Sequence, residues 1–314
     1  MSKIKLLAFE DLLPAEMAKL ESEFDVIRLW KEADPEGAIH KYALEIKAIL
    51  SCPGPIAVSR KMIEALPNLE IIAQNGVGYD NIDVAAAHAR SVVVTNTPGV
   101  LTDDTADTAI ALLLSVSRRI AEGDMFIRAG RWNGGDLPLG TSLSGKLAGI
   151  VGMGRIGRAI ATRCTAFNMH IAYHGPHQKA DVPYRYYPDL ITLARDADYL
   201  ILACKGGVDT QNLINRAVLD AMKPRAFLIN IARGSVVDQD ALVEKLVNQK
   251  IAGAGLDVFA HEPDVPGELK SLDNVVLTPH IGSATLETRS KMGQLVLDNL
   301  AAHFAGQPLL TPVV

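Results

Sequence analysis

The stretch KLAGIVGMGRIGRAI at residues 146–160 decides the fold. An apolar run typical of a buried strand leads into three glycines, Gly152-x-Gly154-x-x-Gly157, and a helical pattern follows them. In such a turn the first glycine permits a tight bend, the second lets a pyrophosphate approach the backbone, and the third lets helix and strand pack closely. The helix N-terminus then offers unpaired N–H groups to the phosphates. The sequence therefore predicts a dinucleotide-binding βα unit, with a cofactor-binding set of Gly152, Gly154, Arg155, Ile156 and Gly157.

Apolar runs continue around this unit at a spacing that predicts an α/β domain. Segments with a helical pattern separate them, an alternation typical of a parallel sheet. We predict a six-stranded, doubly wound Rossmann-type sheet, with strands at Leu147–Val151, Met169–His174, Tyr199–Ala203, Ala226–Ile231, Ala252–Val258 and Val275–Thr278.

The first 97 residues alternate in the same way and predict a second, flavodoxin-like parallel sheet. A long apolar helix is expected over residues 102–121, followed by a glycine-rich loop arm. An amphipathic helix over about Leu286–Ala305 is expected to pack back on the first domain. We therefore expect a discontinuous substrate-binding domain at 1–98 plus 285–314 and a dinucleotide-binding domain at 99–284, with a cleft between them.

Three strands of the second half each precede a different ionisable residue. AFLINIARG leads to Arg233, IAGAGLDVFAHEP leads to Glu262, and VVLTPHIG leads to His280. Ligands of open parallel sheets bind outside the carboxyl ends of the strands. A guanidinium, a carboxylate and an imidazole that meet there predict acid–base chemistry on a carboxylated substrate. Taken singly, each residue also fits a role without catalysis. Arg233 could form a surface ion pair, Glu262 could lie in a solvated turn, and His280 could be structural.

The end of the second strand lacks the acid that usually binds the adenosine ribose of NAD. The chain reads IAYHGPHQKA there, with Gly175 near the expected position and His174, His177 and Lys179 around it. Without a carboxylate nothing repels a 2′-phosphate, and these groups can attract one. The sequence predicts NADP(H) as the preferred cofactor; a solvated turn in an enzyme that uses NAD(H) is the alternative.

Bulk composition excludes several classes of protein. A net charge of −5 with no basic block argues against a nucleic-acid partner. The longest apolar stretch, AIALLLSV at 109–116, is too short to cross a membrane. The N-terminal MSKIKLLAFE predicts a first strand rather than a signal peptide. Three scattered cysteines predict neither disulfides nor a metal site, and we expect a cytoplasmic protein.

Together these motifs resemble the D-2-hydroxyacid dehydrogenase family, most closely its glyoxylate/hydroxypyruvate reductases. NGVGYDNIDVAAA at 75–87 is similar to the substrate loop of the family, and NTPGVLTDDTADTAIALLL at 96–114 to its interdomain helix. The cofactor and catalytic segments follow in the family's order, so the resemblance covers nearly the whole chain.

The resemblance implies reduction of a small 2-oxo acid to the D-2-hydroxy acid. His280 would be the proton donor, Glu262 would pair with it and favour the imidazolium, and Arg233 would bind the oxo acid. Backbone amides of Val77 and Gly78 would hold the substrate carboxylate.

The resemblance also implies contacts further from the reacting atoms. Asp257 would contact the nicotinamide carboxamide, and Tyr79 would line the substrate site. Lys205 stands where family members usually carry a proline near the adenine, and it would add a cation close to the ribose phosphate. A homodimer is expected from the family and from the apolar helix 102–121. The sequence leaves open whether Leu137 or Leu139 of a partner subunit lines the pocket.

Two alternatives stay open at the level of sequence. One is a dinucleotide-sensing scaffold or corepressor on the same fold; the intact arginine, glutamate and histidine set favours the enzyme. The other is a dehydrogenase for a bulkier D-2-hydroxy acid, since the sequence does not define the size of the substrate site.

Overall fold

The computed structural model of the chain describes residues 3–54 and 56–313. It forms two compact units. The first comprises the chain up to Leu101 together with the segment from Ser283 onward, and the second spans Thr102–Gly282. The predicted assignment of substrate binding to one domain and cofactor binding to the other stays a prediction.

The first unit is built on a five-stranded parallel sheet. The strand order is β2-β1-β3-β4-β5, which is the flavodoxin-like order. Its elements are β1 (Ile4–Ala8), α1 (Pro14–Glu23), β2 (Phe24–Arg28), α2 (Pro35–Tyr42), β3 (Ile46–Ser51), α3 (Arg60–Ala65), β4 (Ile71–Gln74), α4 (Val84–Ala89), β5 (Val93–Thr95) and, at the far end of the chain, α12 (Leu286–Phe304).

The helix α12 completes the core of this first unit. Its Val296 and Leu300 are buried in one apolar cluster with Leu6 of β1 and Leu20 of α1. Both faces of a parallel sheet must be covered. The helix α12 therefore supplies apolar cover for the face of the sheet that α1 covers only in part.

The second unit carries a seven-stranded parallel sheet of order β12-β11-β10-β9-β6-β7-β8. The predicted fold class, with two parallel sheets and a Rossmann-type unit, is confirmed. Its elements are α5 (Thr102–Ser117), α6 (Ile120–Arg128), β6 (Leu147–Val151), α7 (Arg155–Ala166), β7 (His170–His174), β8 (Arg185–Tyr187), α8 (Leu190–Asp196), β9 (Tyr199–Leu202), α9 (Arg216–Ala221), β10 (Phe227–Asn230), α10 (Gln239–Val247), β11 (Gly253–Leu256), α11 (Gly267–Lys270) and β12 (Val275–Leu277).

The prediction of six strands in this sheet was wrong by one. The added strand β8 pairs with β7, with Tyr186 opposite Tyr173 and Tyr187 opposite His174. The rings of Tyr173 and Tyr186 pack with centroids 5.3 Å apart. Three residues, one of them charged, form no apolar run, so periodicity does not reveal this strand.

The predicted helix 102–121 is also different in the structure. The helix α5 ends at Ser117, Arg119 adopts a left-handed backbone (φ +55°), and α6 then covers residues predicted to be a loop. The helix α5 packs closely on β11, where a Cβ on Gly255 would lie 2.9 Å from Leu112 Cβ. Because this apolar face is buried inside the second unit, the argument for an interface from helix 102–121 was wrong.

Exposed apolar side chains lie instead on α6 and the arm that follows it. None of the residues of α6 is buried. The exposed large apolar residues of this segment are Ile120, Met125, Ile127, Trp132 and Leu139, and Leu139 is 98% exposed. Among the described residues, no helix has the length and apolarity needed to cross a membrane.

Candidate active site

The three ionisable residues predicted from sequence lie at one edge of the seven-stranded sheet. Arg233 follows β10, Glu262 follows β11, and His280 follows β12. These three strands are neighbours in the order β12-β11-β10, and all run parallel. Their carboxyl ends therefore open on the same edge, where α/β proteins bind ligands.

His280 and Glu262 form a hydrogen-bonded pair. The Nδ1 of His280 lies 2.8 Å from Oε2 of Glu262, and Oε1 of Glu262 accepts a hydrogen bond of 3.0 Å from the Phe259 N–H. An ionised carboxylate can only accept, so Nδ1 carries the hydrogen. This leaves Nε2 as the nitrogen that can exchange a proton with a substrate.

The environment of Glu262 keeps its carboxylate charged. Burial raises its pKa, but the hydrogen bond and charge of His280, the Phe259 N–H and the Arg233 guanidinium all lower it. The lowering contributions win, so the pKa of Glu262 lies below its ordinary value. Glu262 is therefore an anion throughout the neutral range, and it accepts the Nδ1 hydrogen of the imidazole.

Asp257 holds the turn that presents His280. Its carboxylate, 1% exposed, accepts from Thr278 Oγ1 at 2.7 Å, Ile281 N at 2.8 Å and Gly282 N at 2.8 Å. The backbone of His280 is left-handed (φ +53°), a conformation that costs a non-glycine residue energy. These bonds on both sides of His280 maintain that conformation. The predicted contact of Asp257 with a nicotinamide carboxamide stays a prediction.

Asn230, the last residue of β10, positions the backbone of Arg233. The Asn230 side chain donates to the Arg233 carbonyl at 2.9 Å and accepts from the Ala232 N–H at 3.0 Å. The guanidinium itself donates from Nη1 to the Ala232 carbonyl at 2.8 Å. Its charge is the smallest of the influences that lower the pKa of Glu262, after the hydrogen bond and charge of His280 and the Phe259 N–H. The structure therefore brings the predicted arginine, glutamate and histidine together.

Gly234 lets the loop after β10 touch the loop after β11. A Cβ on Gly234 would overlap the backbone of Phe259 and Ala260. Because Phe259 also donates to Glu262, this contact couples the position of Arg233 to that of Glu262. Sequence reasoning missed the roles of Asn230 and Gly234, although a polar residue ending a buried strand and a glycine directly after Arg233 were the available signals.

The glycine turn has the geometry that its spacing predicted. Gly152 has φ +96°, and a Cβ there would lie 2.6 Å from Cys204 Cα. A Cβ on Gly157 would overlap the carbonyl oxygen of Gly152. Neither position admits another residue without moving backbone.

Gly154 lies in open space directly before α7, where a Cβ would meet no atom within 4 Å. The helix begins at Arg155, which is exposed, and Ile156 packs against the core. The first N–H groups of a helix have no partner within it. This turn therefore fits the pyrophosphate of a dinucleotide.

His174 is tied to the strand that sequence analysis missed. Its Nδ1 lies 2.9 Å from the carbonyl oxygen of Tyr187, so Nδ1 donates to that oxygen. Nε2 is therefore the ring nitrogen that can contact a cofactor. Gly175, at the position that lacks an acid, accepts a hydrogen bond of 3.0 Å from the Tyr186 hydroxyl through its carbonyl. The residues after β7 thus form an anchored turn.

The other predicted 2′-phosphate ligands lie on both sides of the glycine turn. His177 is exposed, and Lys179 donates its backbone N–H to the Tyr173 hydroxyl at 2.8 Å. Lys205 is exposed after β9, and β9 and β7 flank β6 in the sheet. Asp181, the first acid in the segment, is paired with Arg158 at 2.9 Å.

In the first unit, the loop after β4 has three consecutive carbonyls that accept hydrogen bonds. Gly76 O accepts from the Thr97 N–H at 3.0 Å, Val77 O from Asn96 Nδ2 at 2.9 Å, and Gly78 O from Gln74 Nε2 at 2.8 Å. Within residues 3–54 and 56–313, the N–H groups of Val77 and Gly78 have no acceptor. This loop therefore presents a pair of donors suited to an anion.

Tyr79, predicted to line the substrate site, is only partly exposed. Its ring packs against the apolar core of the first unit. A direct contact of Tyr79 with substrate stays a prediction.

Comparison with known proteins identifies the family. Residues 110–282 match the family described as D-isomer specific 2-hydroxyacid dehydrogenase, NAD binding domain. The hydroxyphenylpyruvate reductase of Plectranthus scutellarioides is 46% identical, with 94% of each chain covered. The 2-ketogluconate reductase of Gluconobacter oxydans is 44% identical over 100% of this chain and 99% of its own.

A solved structure is similar over the same extent. The NADPH-dependent glyoxylate/hydroxypyruvate reductase of Sinorhizobium meliloti, in complex with NADP and malonate, is 41% identical with a TM-score of 0.91. The alignment covers 100% of this chain and 97% of that one. The resemblance predicted from the motifs is confirmed, and this chain belongs to the D-isomer specific 2-hydroxyacid dehydrogenases.

Proposed function

We propose that this protein catalyses the NAD(P)H-dependent reduction of a small 2-oxo acid to the D-2-hydroxy acid. The observation that carries the proposal is the His280–Glu262 pair, with Arg233 acting on the same carboxylate, in the unit that also holds the glycine turn. Relatives named for the reduction of glyoxylate, hydroxypyruvate and 2-ketogluconate support it.

His280 is the proposed general acid. Its Nδ1 is held by Glu262, so the proton leaves from Nε2 toward the carbonyl oxygen of the substrate as that oxygen becomes an alkoxide. The nicotinamide of the bound cofactor supplies the hydride. Arg233 polarises the same carbonyl and stabilises the developing charge through charge-assisted hydrogen bonds.

The loop after β4 is the proposed anchor of the substrate carboxylate. The N–H groups of Val77 and Gly78, which have no acceptor among the described residues, support this role, because a carboxylate accepts two such bonds at once. In this proposal the domain at 1–98 plus 285–314 binds the substrate, and the domain at 99–284 binds the cofactor.

NADP(H) is the proposed preferred cofactor. No acid stands at Gly175, and His177, Lys179 and Lys205 are the proposed ligands of the 2′-phosphate. One or two charge-assisted contacts at about 1.5–3 kcal/mol each would give roughly 10- to several-hundred-fold discrimination in kcat/KM. Lysine lacks the bidentate fork of arginine, and Nδ1 of His174 is bonded to Tyr187, so we expect the lower part of that range. The NADPH dependence of the Sinorhizobium meliloti relative supports the choice.

A kinetic panel tests the function. The loss of reduced-nicotinamide absorbance would be followed with glyoxylate, hydroxypyruvate, phenylpyruvate and 2-ketogluconate, each with NADPH and NADH. If none of the four acids were reduced with either cofactor, the proposal would be refuted. Equal or better kcat/KM with NADH would overturn the cofactor preference alone.

The proposal extends to assembly and location. A homodimer is supported by the exposed apolar side chains of α6 and the arm that follows it. In that dimer, Leu137 or Leu139 of one subunit would reach the substrate of the other. A cytoplasmic location is supported by the three free thiols, Cys52, Cys164 and Cys204, because reducing compartments keep cysteines unpaired.

A further inference from the structure

The C-terminal tail (residues 310–313) extends the sheet of the first unit. It follows α12, and its Pro312 forms an antiparallel bridge with Thr95 of β5. The Val313 N–H donates to the Val94 carbonyl at 2.8 Å. Because β5 is an edge strand of this sheet, the tail pairs with backbone groups that an open edge would expose.

Thr311 of this tail holds the backbone of Asn96 at two points. The Thr311 hydroxyl donates to the Asn96 carbonyl at 2.6 Å. The Thr311 carbonyl accepts from the Asn96 N–H at 3.3 Å. Asn96 directly follows β5, so the tail fixes the position of the first residue after that strand.

Asn299 of α12 holds Thr311 in turn. Its Nδ2 donates to the Thr311 hydroxyl at 2.9 Å. Its Oδ1 accepts from the N–H groups of Leu310 at 3.1 Å and Thr311 at 3.2 Å. Asn299 is 1% exposed, so these bonds are shielded from water. A hydroxyl has one hydrogen to donate, and here it is directed at the Asn96 carbonyl.

Asn96 and Thr97 orient the two peptide groups of the proposed carboxylate anchor. In a trans peptide the C=O and the N–H lie in one plane and point in opposite directions. The Gly76 carbonyl accepts from the Thr97 N–H at 3.0 Å, and this bond aims the N–H of Val77. The Val77 carbonyl accepts from Asn96 Nδ2 at 2.9 Å, and this bond aims the N–H of Gly78. Both anchor donors therefore take their direction from residues 96–97.

The glycines of this loop make the direction of its peptide groups depend on such bonds. Gly76 and Gly78 flank the two groups, and glycine lacks the Cβ that restricts backbone rotation. A rotated peptide would present a carbonyl oxygen where an N–H is needed, and that oxygen would repel a carboxylate. The bonds from residues 96–97 therefore keep the loop in the form that attracts an anion.

We propose that Thr311 is a positioning residue for the substrate carboxylate, so that the C-terminal tail sets the affinity for 2-oxo acids. Hydrogen bonds run from Asn299 through Thr311 to Asn96. The Asn96 side chain continues them to the Val77 carbonyl. Thr311 itself touches neither substrate nor cofactor in this proposal. The inference rests on the proposed function, in which the N–H groups of Val77 and Gly78 bind the carboxylate.

Thr311→Val tests this role, because valine keeps the shape of threonine but neither donates nor accepts a hydrogen bond. We expect the KM for the best 2-oxo acid of the kinetic panel to rise about 3- to 10-fold, the effect of one lost hydrogen bond. The kcat should stay near wild type, as it does when only substrate binding is weakened. The KM for NADPH should also stay, since the glycine turn lies in the second unit. Thr311→Ser keeps the hydroxyl and should restore the KM for the 2-oxo acid.

Thr165→Val is the matched control. The Thr165 hydroxyl also donates to a backbone carbonyl, that of Ala161 at 2.9 Å, but it lies on α7 of the second unit. The KM for the 2-oxo acid should not change in this variant. An equal rise in the control would overturn the proposal. A fall in kcat of Thr311→Val with no change in that KM would overturn it too.

The outcomes separate this inference from the proposed function. If the wild type reduces a 2-oxo acid and Thr311→Val has the same KM for it, the role of the tail is refuted while the reductase stands. If the wild type reduces no 2-oxo acid with either cofactor, the function fails and this inference fails with it. If Thr311→Val proves unfolded by circular dichroism, the KM in Thr311→Ala, which adds no bulk, decides. If that variant is unfolded as well, the hydroxyl supports the whole unit rather than the loop, and the proposal is overturned.

Discussion

At the scale of single residues, Nε2 of His280 carries the proposed proton transfer. Glu262 occupies Nδ1 of His280 at 2.8 Å, and the bonds of Asp257 to the flanking backbone hold the turn. Both the tautomer and the direction of the ring are set by groups outside the reacting pair. A positioned acid of this kind is typically worth 10²–10⁴ in rate.

Replacing the imidazole tests this role directly. We expect His280→Ala to lower kcat on glyoxylate by about 10²–10⁴ with little change in NADPH affinity. Stopped-flow reduction kinetics and a fluorescence titration of NADPH would measure the two quantities. A variant that keeps close to full kcat would remove His280 from the mechanism.

The hydrogen bond between Glu262 and His280 is tested in the oxidation direction, where Nε2 of His280 accepts the proton. The Glu262 carboxylate orients the imidazole by accepting from its Nδ1. Glu262→Gln should therefore lower kcat/KM for glycolate by about 10-fold or more, because one charge-assisted hydrogen bond is lost. An unchanged kcat/KM for glycolate would show that the pair has no such influence.

The same carboxylate links pH to stability. Since the folded pKa of Glu262 is below its ordinary value, its contribution to stability is present above the ordinary pKa. That contribution is lost as the pH falls through the lowered folded pKa. The Glu262→Gln variant should therefore have a lower free energy of unfolding than wild type at neutral pH. This difference should shrink in strong acid.

Sequence could predict which ionisable residues follow the neighbouring strands but not how they are held. Arg233, Glu262 and His280 each follow an apolar run, a signal visible without a structure. The bonds of Asp257 and the bond of His174 to Tyr187 depend on chain segments far apart in sequence. No local pattern encodes such contacts.

At the scale of elements, the parallel strands were predictable because each is a buried apolar run. The strand β8 was not, since its three residues owe their position to pairing with β7. The end of α5 was not predictable either. A glycine or proline usually marks the end of a helix, but arginines stand at positions 118 and 119. Tertiary contacts decided both cases.

The contact of the loop after β10 with the loop after β11 gives an element-scale prediction. A methyl group on Gly234 would overlap the Phe259 backbone, so Gly234→Ala must separate the loops that carry Arg233 and Glu262. We expect a loss of about 1–3 kcal/mol in the free energy of unfolding and of about 10²-fold in kcat/KM. Chemical denaturation and steady-state kinetics would measure them.

Gly267→Ala is the matched control for that variant. Gly267 begins α11, and a Cβ there would meet no atom within 4 Å. It should keep wild-type kinetics and stability. If Gly234→Ala behaved in the same way, the coupling of the two loops would be wrong.

At the scale of the whole molecule, the exposed apolar arm leads us to expect a homodimer. Ile127 of α6 and Leu139 are solvent-exposed in the single chain, as an interface requires. Sedimentation at micromolar concentration should give twice the 33.7 kDa of one chain. The variant Ile127→Asp should dissociate the assembly, whereas Val208→Asp, an exposed valine on another surface turn, should not. A single species at the mass of one chain would contradict the homodimer.

The division of the first unit between the two ends of the chain also bears on how the protein is made. A ribosome delivers Leu6 and Leu20 early and their packing partners Val296 and Leu300 last. The middle of the nascent chain, with a sheet of its own, can fold in the meantime as domains generally do during synthesis. One face of the first sheet is covered by α1 alone until α12 emerges, so the part that α12 packs on stays exposed. We therefore expect chaperones to bind this face during translation and to leave it when α12 docks.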